Sequence, residues 1–506
     1  MTLEQQLRDY YNSDPITLNE LRHRMHSGAD LIDFEPVDTD NMTLDDLDTP
    51  TAHDAGSLPG RKPALARNPG WLYAAAVMLI LVGVVAVVQR STSPETAAVG
   101  SADPAAAGRW VQIDQGDAFD PAPSVTPDVL VQPIKQNRIF VTAVRSTALG
   151  YFAIGAEQRD QASTGAVWRS ADGQTWTRVA DPDHLWGDVE SRPVGYTRPL
   201  AAGLWTIAEH DGTVVIGGYR YRDPASTSIT AAAWSTTDGI NWTAGRMPGD
   251  SAGRSVRSIV GTEDGFLAIS GGAAAPVGPQ LWRSVDGVTW LQVHSEGFPD
   301  DAVVSSMTTT DTGTSERIVA VGSAGSLNQR PGLWYSDDNG NTWRSGTIDH
   351  RPSDHPFGEL TDVQTGPNGL IGLGIRQDQS ATTDQLDGSY QLVVWESSDG
   401  IAWDERPIDA TENRPWMWPG LAVGPDGFVV AAFIEVDDGY EGVSWISADG
   451  GPVERLEHPT GRAGGVPAAT SDGYVTITPV LATNKPGPVP PVAEPTEVWT
   501  LSTVRN

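Results

Sequence analysis

A single short pattern recurs along the chain, and few folds can accommodate it. Its fullest copy is Ser336-Asp337-Asp338-Asn339-Gly340-Asn341-Thr342-Trp343. Shorter copies are Ser170-Ala171-Asp172-Gly173-Gln174-Thr175-Trp176 and Ser284-Val285-Asp286-Gly287-Val288-Thr289-Trp290. Looser ones run from Thr236 to Trp242, around Asp238, and from Ser397 to Trp403, around Asp399; Ser447-Ala448-Asp449-Gly450 keeps only the beginning. A tryptophan stands two residues before each leading Ser or Thr: Trp168, Trp234, Trp282, Trp334, Trp395 and Trp445. An alternating apolar stretch ending in Trp reads as a strand, Asp-Gly as hairpin chemistry, and the following Thr-Trp as the start of the return strand. The Asp carboxylate can take backbone N–H groups of its own turn, and Gly supplies the positive φ.

The marker tryptophans are spaced by 66, 48, 52, 61 and 50 residues, and Trp499 follows Trp445 by 54. A strongly apolar strand precedes each, entered through closely similar turns such as Glu263-Asp264-Gly265, Pro367-Asn368-Gly369, Pro425-Asp426-Gly427 and Ser471-Asp472-Gly473. Four-stranded units at this period are propeller blades. Counting Tyr151–Ile154 as the first second strand, seven second strands match seven third strands, which predicts seven blades. The seventh has no fourth strand after Trp499. Arg109-Trp110-Val111-Gln112-Ile113 copies the fourth-strand pattern of Thr289-Trp290-Leu291-Gln292-Val293, so it is predicted to pair with Glu497–Leu501 and close the ring.

Over roughly residues 138–506 the pattern resembles the Asp-box, or bacterial neuraminidase repeat, of sialidase-like β-propellers. The resemblance implies an all-β architecture in which Asp172, Asp238, Asp286, Asp338, Asp399 and Asp449 are structural and lie away from any active site. Sialidase activity, as the resemblance implies it, would need an arginine cluster for a substrate carboxylate, a Tyr–Glu nucleophile pair and an acidic acid/base residue. Arg138-Ile139-Phe140 departs from the arginine-Ile-Pro start motif, first-strand arginines are mainly Arg145 and Arg257, and no tyrosine stands in a pairing context. No catalytic residue is assigned on this basis. No G-x-x-x-x-G-K-[ST], H-E-x-x-H or G-x-S-x-G pattern occurs, and Gly372-Leu373-Gly374 reads as strand geometry. His350, Asp354 and His355 read as a polar loop; neither metal nor cofactor is expected.

Loop lengths carry more information about a ligand. The short turns and the Asp-Gly hairpins share one face of the propeller. The long connections, including Tyr219–Thr230, Gln377–Tyr390 and Asp409–Trp418, share the other. Long loops on a rigid scaffold are where binding resides. The aromatic residues gathered there, Trp186, Tyr196, Tyr219, Tyr221, Phe357, Trp416, Trp418 and Tyr440, are the candidate ligand-binding set.

Before the repeats the chain divides into four pieces. Residues 1–28 carry two capping-box signatures and read as a short cytoplasmic helical segment. Residues 29–68 are acidic with interleaved apolar residues and read as a cytoplasmic tether. Residues 69–90 contain the uncharged run Trp71–Val88, 88 − 71 + 1 = 18 residues, long enough for a transmembrane helix. Residues 91–109 read as a flexible linker and 110–506 as the propeller. Arg61, Lys62 and Arg67 before the run keep the N-terminus inside, so a single-pass signal anchor should hold the propeller outside the cytoplasmic membrane. With 33 basic against 65 acidic residues, a nucleic-acid partner is not expected. The absence of cysteine removes disulfides, thiol nucleophiles and palmitoyl anchors. The expectation is a membrane-anchored, non-catalytic binding or assembly module with a protein or glycan ligand outside the cytoplasm and a cytosolic protein contacting residues 1–48. The alternatives are a glycan-directed hydrolase or lectin of the sialidase-like group, or a transmembrane signalling protein.

Overall fold

The computed structural model describes residues 110–119 and 138–503, apart from stretches between strands of which 187–201, 378–389 and 479–495 are the longest. The expected tail, tether, membrane helix and linker therefore lie outside the described residues. No helix among the described residues is long and apolar enough to cross a membrane.

The described residues form seven sheets of antiparallel meanders. Blade 1 runs Arg138–Thr147, Gly150–Arg159, Ala162–Ser170 and Trp176–Arg178; blade 4 runs Val303–Asp311, Glu316–Ala324, Arg330–Ser336 and Arg344–Ser345. Neighbouring inner strands touch all the way round, and Val466–Thr470 of blade 7 packs against both Pro415–Gly424 of blade 6 and Arg138–Thr147 of blade 1. The result is an all-β, seven-bladed propeller. Its core is a ring of wedges between blades: Phe152, Ile154 and Val167 of blade 1, for example, meet Leu204, Val214 and Trp234 of blade 2. The third-strand tryptophans Trp168, Trp234, Trp282, Trp334, Trp395, Trp445 and Trp499 are all buried.

The ring closes as its sequence predicts. Trp110–Ile113 lies antiparallel to Glu497–Ser502, with Trp110 opposite Leu501 and Ile113 opposite Val498. Trp110 is buried and its indole N–H donates to Ser444 Oγ of blade 6 at 2.8 Å. The chain then seals blade 7 to blade 1. The Gln115 side-chain amide donates to Gln174 O and accepts from Trp176 N, Phe119 stacks on Trp168 at 5.1 Å, and Trp168 Nε1 donates to Ala118 O. Three connectors use main chain for the same purpose. Arg246 bridges Thr289, Glu296 bridges Thr342, and Thr347–His350 runs parallel to the fourth strand of blade 5 as a fifth strand.

In the Asp-Gly hairpins each carboxylate is consumed by its own turn. Asp338 Oδ1 accepts from Ser336 Oγ at 2.8 Å and Thr342 N at 2.8 Å, while Oδ2 accepts from Thr342 Oγ1 at 2.7 Å. Asp172, Asp238, Asp286 and Asp399 repeat the arrangement; Asp449 lies outside the described residues. The returning tryptophan donates Nε1 to the hairpin glycine carbonyl, as Trp343 does to Gly340 and Trp290 to Gly287.

One departure from regular pairing positions the centre of the molecule. The inner strands of blades 1 to 5 each carry one extra residue near their start: Thr142, Trp205, Arg257, Ser305 and Thr361. In blade 6 the pairing passes over Trp416 and then over Trp418 with Pro419. In blades 1, 2 and 4 the bulge pushes an inner-strand carbonyl against the second strand. A Cβ on Gly155, Gly218 or Gly322 would collide with the carbonyl oxygen of Phe140, Gly203 or Val303. Glycine at that one place on the second strand therefore accommodates the bulge.

Candidate functional site

The inner strands begin on the face that carries the long connections, so the bulges sit at that mouth of the central channel. A bulge disrupts the ladder, and the N–H groups just beyond it need partners. The residue after the bulge in the preceding blade supplies them. Ile259 N donates to Thr206 Oγ1 at 3.3 Å and Met307 N donates to Ser258 Oγ at 2.9 Å. In blade 5 Asp362 takes over, accepting from its neighbour Val363 N and from Ser306 Oγ of blade 4, both at 2.8 Å. These hydroxyls and this carboxylate stitch blades together. In blades 2 and 3 the bulged residues, Trp205 and Arg257, lie against each other at the mouth.

Blades 2, 3 and 5 bring a compact set of groups together there. The Arg257 guanidinium carbon stands 5.2 Å from the Trp205 ring centroid, within cation–π range. Trp205 leans on Tyr219 at 6.3 Å, and Tyr219 meets Tyr221 edge-on at 5.8 Å. The Tyr219 ring lies against Gly203, where a Cβ would collide with it. Gly203 thus lets a second-strand tyrosine reach over the inner strand toward the axis. Glu359, two residues before the blade 5 bulge, is close enough to act on Arg257 electrostatically. All five side chains are half-buried.

The electrostatics follow from that enclosure. Burial raises the Tyr219 pKa well above the ordinary phenol value, Tyr221 adds to the shift through its charge and a hydrogen bond, and Arg257 partly opposes it. Tyr219 is therefore a neutral hydroxyl at any physiological pH. Burial lowers the Arg257 pKa, while Tyr219 and Glu359 work to restore it. An arginine stays protonated under such a load. Among the described residues the mouth consequently offers a fixed cation, aromatic faces, tyrosine hydroxyls and the Glu359 carboxylate. Beneath it, Arg145 of blade 1 reaches Asp362 of blade 5 at 3.7 Å, and Gln364 Nε2 donates to Asp362 Oδ2 at 3.0 Å. These polar side chains floor the pit.

The sequence-predicted ligand set is divided by the structure. Tyr219 and Tyr221 are in the mouth. Trp186 is 1% exposed and packs edge-on against Trp242 at 5.9 Å, in the wedge between blades 1 and 2, where its ring offers no surface to a ligand. Trp416, Trp418 and Tyr440 lie on described strands of blade 6, the first two in its irregular inner strand. Tyr196 and Phe357, and Asp354 and His355 of the polar loop, fall outside the described residues. Among the described residues no group of three metal-ligating side chains occurs. Trp205 and Glu359 are absent from the predicted set, and Arg257 is noted there only as a first-strand arginine. Tyr219 sits with Tyr221 and Arg257 rather than in a Tyr–Glu pair. The signal that marks the mouth is a second-strand glycine opposite the bulges of blades 1, 2, 4 and 5, at Gly155, Gly218, Gly322 and Gly374; blade 3 has Ser270 there.

No family model matches the chain, and no curated protein does. Solved structures do. An α-L-arabinofuranosidase from Fusarium graminearum is 11% identical, with a TM-score of 0.40, over 78% of this chain and 98% of its own. A Trypanosoma rangeli sialidase in complex with sialic acid is 10% identical, with a TM-score of 0.39, over 67% of this chain and 59% of its own. The chain thus spans about three fifths of the sialidase's length. A hydrazine synthase from Kuenenia stuttgartiensis is 12% identical, with a TM-score of 0.42, over 71% of this chain and 96% of its own. Glycoside hydrolases and a sialidase recur among these neighbours, and the expectation of a non-catalytic binding or assembly module is corrected accordingly. Identities of this size bear on the fold alone. What the mouth does has to be argued from its own side chains.

Proposed function

We propose that the protein is a glycan-directed hydrolase whose site is the bulge-lined mouth of the propeller. One observation carries the reading: Trp205, Tyr219, Tyr221, Arg257 and Glu359 converge there from three blades although they are scattered over 155 positions, 359 − 205 + 1, of the chain. Ring faces such as Trp205 suit the apolar C–H face of a sugar, and neutral hydroxyls suit its hydroxyl groups. Arg257 suits an anionic substituent on the sugar. Glu359 is the carboxylate able to move a proton or steady positive charge at an anomeric carbon. The Asp-Gly hairpins, read as Asp-boxes, are scaffold in this proposal, and Trp71–Val88 is a signal anchor that displays the mouth outside the cytoplasmic membrane.

The test is hydrolysis of 4-methylumbelliferyl glycosides of N-acetylneuraminic acid, glucuronic acid and L-arabinose. Turnover by the wild type is expected. Glu359→Gln should lower kcat at least a hundredfold, and Arg257→Ala should raise KM for an acidic glycoside. Turnover unchanged in both variants would remove the mouth from the reaction, and binding without turnover would make the protein a lectin. The anchor is tested separately with Ser101→Cys, the chain having no other cysteine. A membrane-impermeant maleimide should label it in intact cells; labelling only after lysis would place the propeller inside.

A further inference from the structure

Five equivalent positions ring the mouth, and the use each side chain makes of its position differs. Thr142 Oγ1 donates to Leu204 O at 2.6 Å, within the fold. Thr361 Oγ1 donates to Leu373 O at 3.3 Å, also within the fold. Trp205 and Arg257 lie against each other in the mouth. Ser305 of blade 4 holds the same bulge position, half-buried, and its hydroxyl has no hydrogen-bond partner among the described residues. As with Thr206 and Ser258 in their blades, the stitching in blade 4 falls to the residue after the bulge, Ser306, which is buried and donates to Asp362. Blade 4 stands between blade 3, which carries Arg257, and blade 5, which carries Glu359. Arg257 and Glu359 interact electrostatically, and the inner strand that carries Ser305 packs between the two inner strands that carry them.

From this geometry we infer that Ser305 is a ligand-binding residue of the mouth, and that the bound sugar lies across blades 2 to 5 with the Ser305 hydroxyl bonded to one of its oxygens between Arg257 and Glu359. The inference rests on the glycan reading and adds to it a residue and a direction. A serine at this point suits a sugar hydroxyl or carboxylate oxygen, because a hydroxyl can donate to either and accept from the former. Blades 6 and 7 then lie outside the sugar's footprint. No bond is made or broken by Ser305; it positions.

The absence of cysteine permits a test that does not depend on knowing the sugar. In the full-length protein, Ser305→Cys should react with iodoacetamide, while Ser306→Cys should react at least tenfold more slowly. An unreactive Ser305→Cys would overturn the inference at once. The second arm measures binding of free N-acetylneuraminic acid, glucuronic acid and L-arabinose by titration. Ser305→Ala should weaken the best of them about five- to tenfold, the loss of one hydrogen bond, and Ser305→Thr should restore most of it. Ser258→Ala, which removes a stitching hydroxyl, should lower the melting temperature and leave affinity unchanged. Wild-type affinity in Ser305→Ala would overturn this inference and leave the glycan reading standing. A wild type that binds none of the three sugars would overturn both.

Discussion

At the residue scale the same chemistry serves opposite ends in two places. Asp338 shows one of them: its carboxylate is saturated by a serine hydroxyl, an amide and a threonine hydroxyl of its own hairpin, so nothing remains for a ligand. Burial works to raise the pKa of Asp338, Asp172, Asp286 and Asp399, but the hydrogen bonds outweigh it and hold all four below the ordinary carboxylate range. Asp238, in the same setting, is lowered chiefly by the Asn241 and Ile240 amides. A carboxyl group whose pKa is lower folded than unfolded stabilises the fold above the unfolded value, near 4, and loses that contribution as pH falls through the folded value. The melting temperature should therefore hold above about pH 5 and fall steeply below about pH 4. Asp338→Asn should flatten that fall, and a wild-type melting temperature indifferent to acid would contradict the argument. Asp338→Ala should cost about 1 kcal/mol, the lower part of the range for donors left unpaired, because water reaches this exposed turn. Denaturant melts give that number directly.

The elements explain why the hairpins were legible in the sequence and the mouth was not. Ser-x-Asp-Gly-x-x-Trp, as in Ser170–Trp176, or the one-residue longer Ser336–Trp343, is a contiguous signal whose partners all lie within eight positions. Arg257, Trp205 and Glu359 are brought together by three separate inner strands, and along each strand they look like ordinary alternation. For Trp205 and Arg257 it is the bulge that sets them apart from that alternation. Its mark in the sequence is a glycine late in the second strand, as at Gly218 and Gly322, which looks like any strand glycine until its carbonyl neighbour is known. Trp186 illustrates the converse: it stands in a long connection, where exposure is the natural expectation, yet the wedge between blades 1 and 2 absorbs it. Gly218→Ala should cost about 1–3 kcal/mol by overpacking. It should also weaken sugar binding, because the bulge that carries Trp205 must shift. Equal stability of Gly218→Ala and wild type in urea would show that the bulge is not held this way. A second element-level expectation concerns the ion pair of Arg376 with buried Glu405, at 2.8 Å between the second and fourth strands of blade 5. Arg376→Ala removes one partner of this buried carboxylate and should destabilise by about 1–3 kcal/mol. Unchanged stability in urea would show that the pair contributes nothing to the fold.

The whole molecule depends on the four residues of its first described strand. Trp110–Ile113 pairs with Glu497–Ser502 as the outer strand of blade 7, and Gln115 and Phe119 join that blade to blade 1. A chain starting at Pro127 should melt well below one starting at Ser91, and equal melting would show that the closure is dispensable. The closure also has a consequence in time. Val111 and Thr500, which face each other across it, are 389 positions apart. Bringing such distant points together in an otherwise open chain costs on the order of 5 kcal/mol in loop entropy, so the pairing gains most once blades 1 to 6 have already drawn the ends close. During synthesis at roughly 5–20 residues per second, the first strand must wait about 20–80 s for its partner to emerge. Throughout that interval it has no sheet to join, and the edge it will cover does not yet exist. Birth order and assembly order are thus inverted at this seam: the strand made first is among the last to find its place.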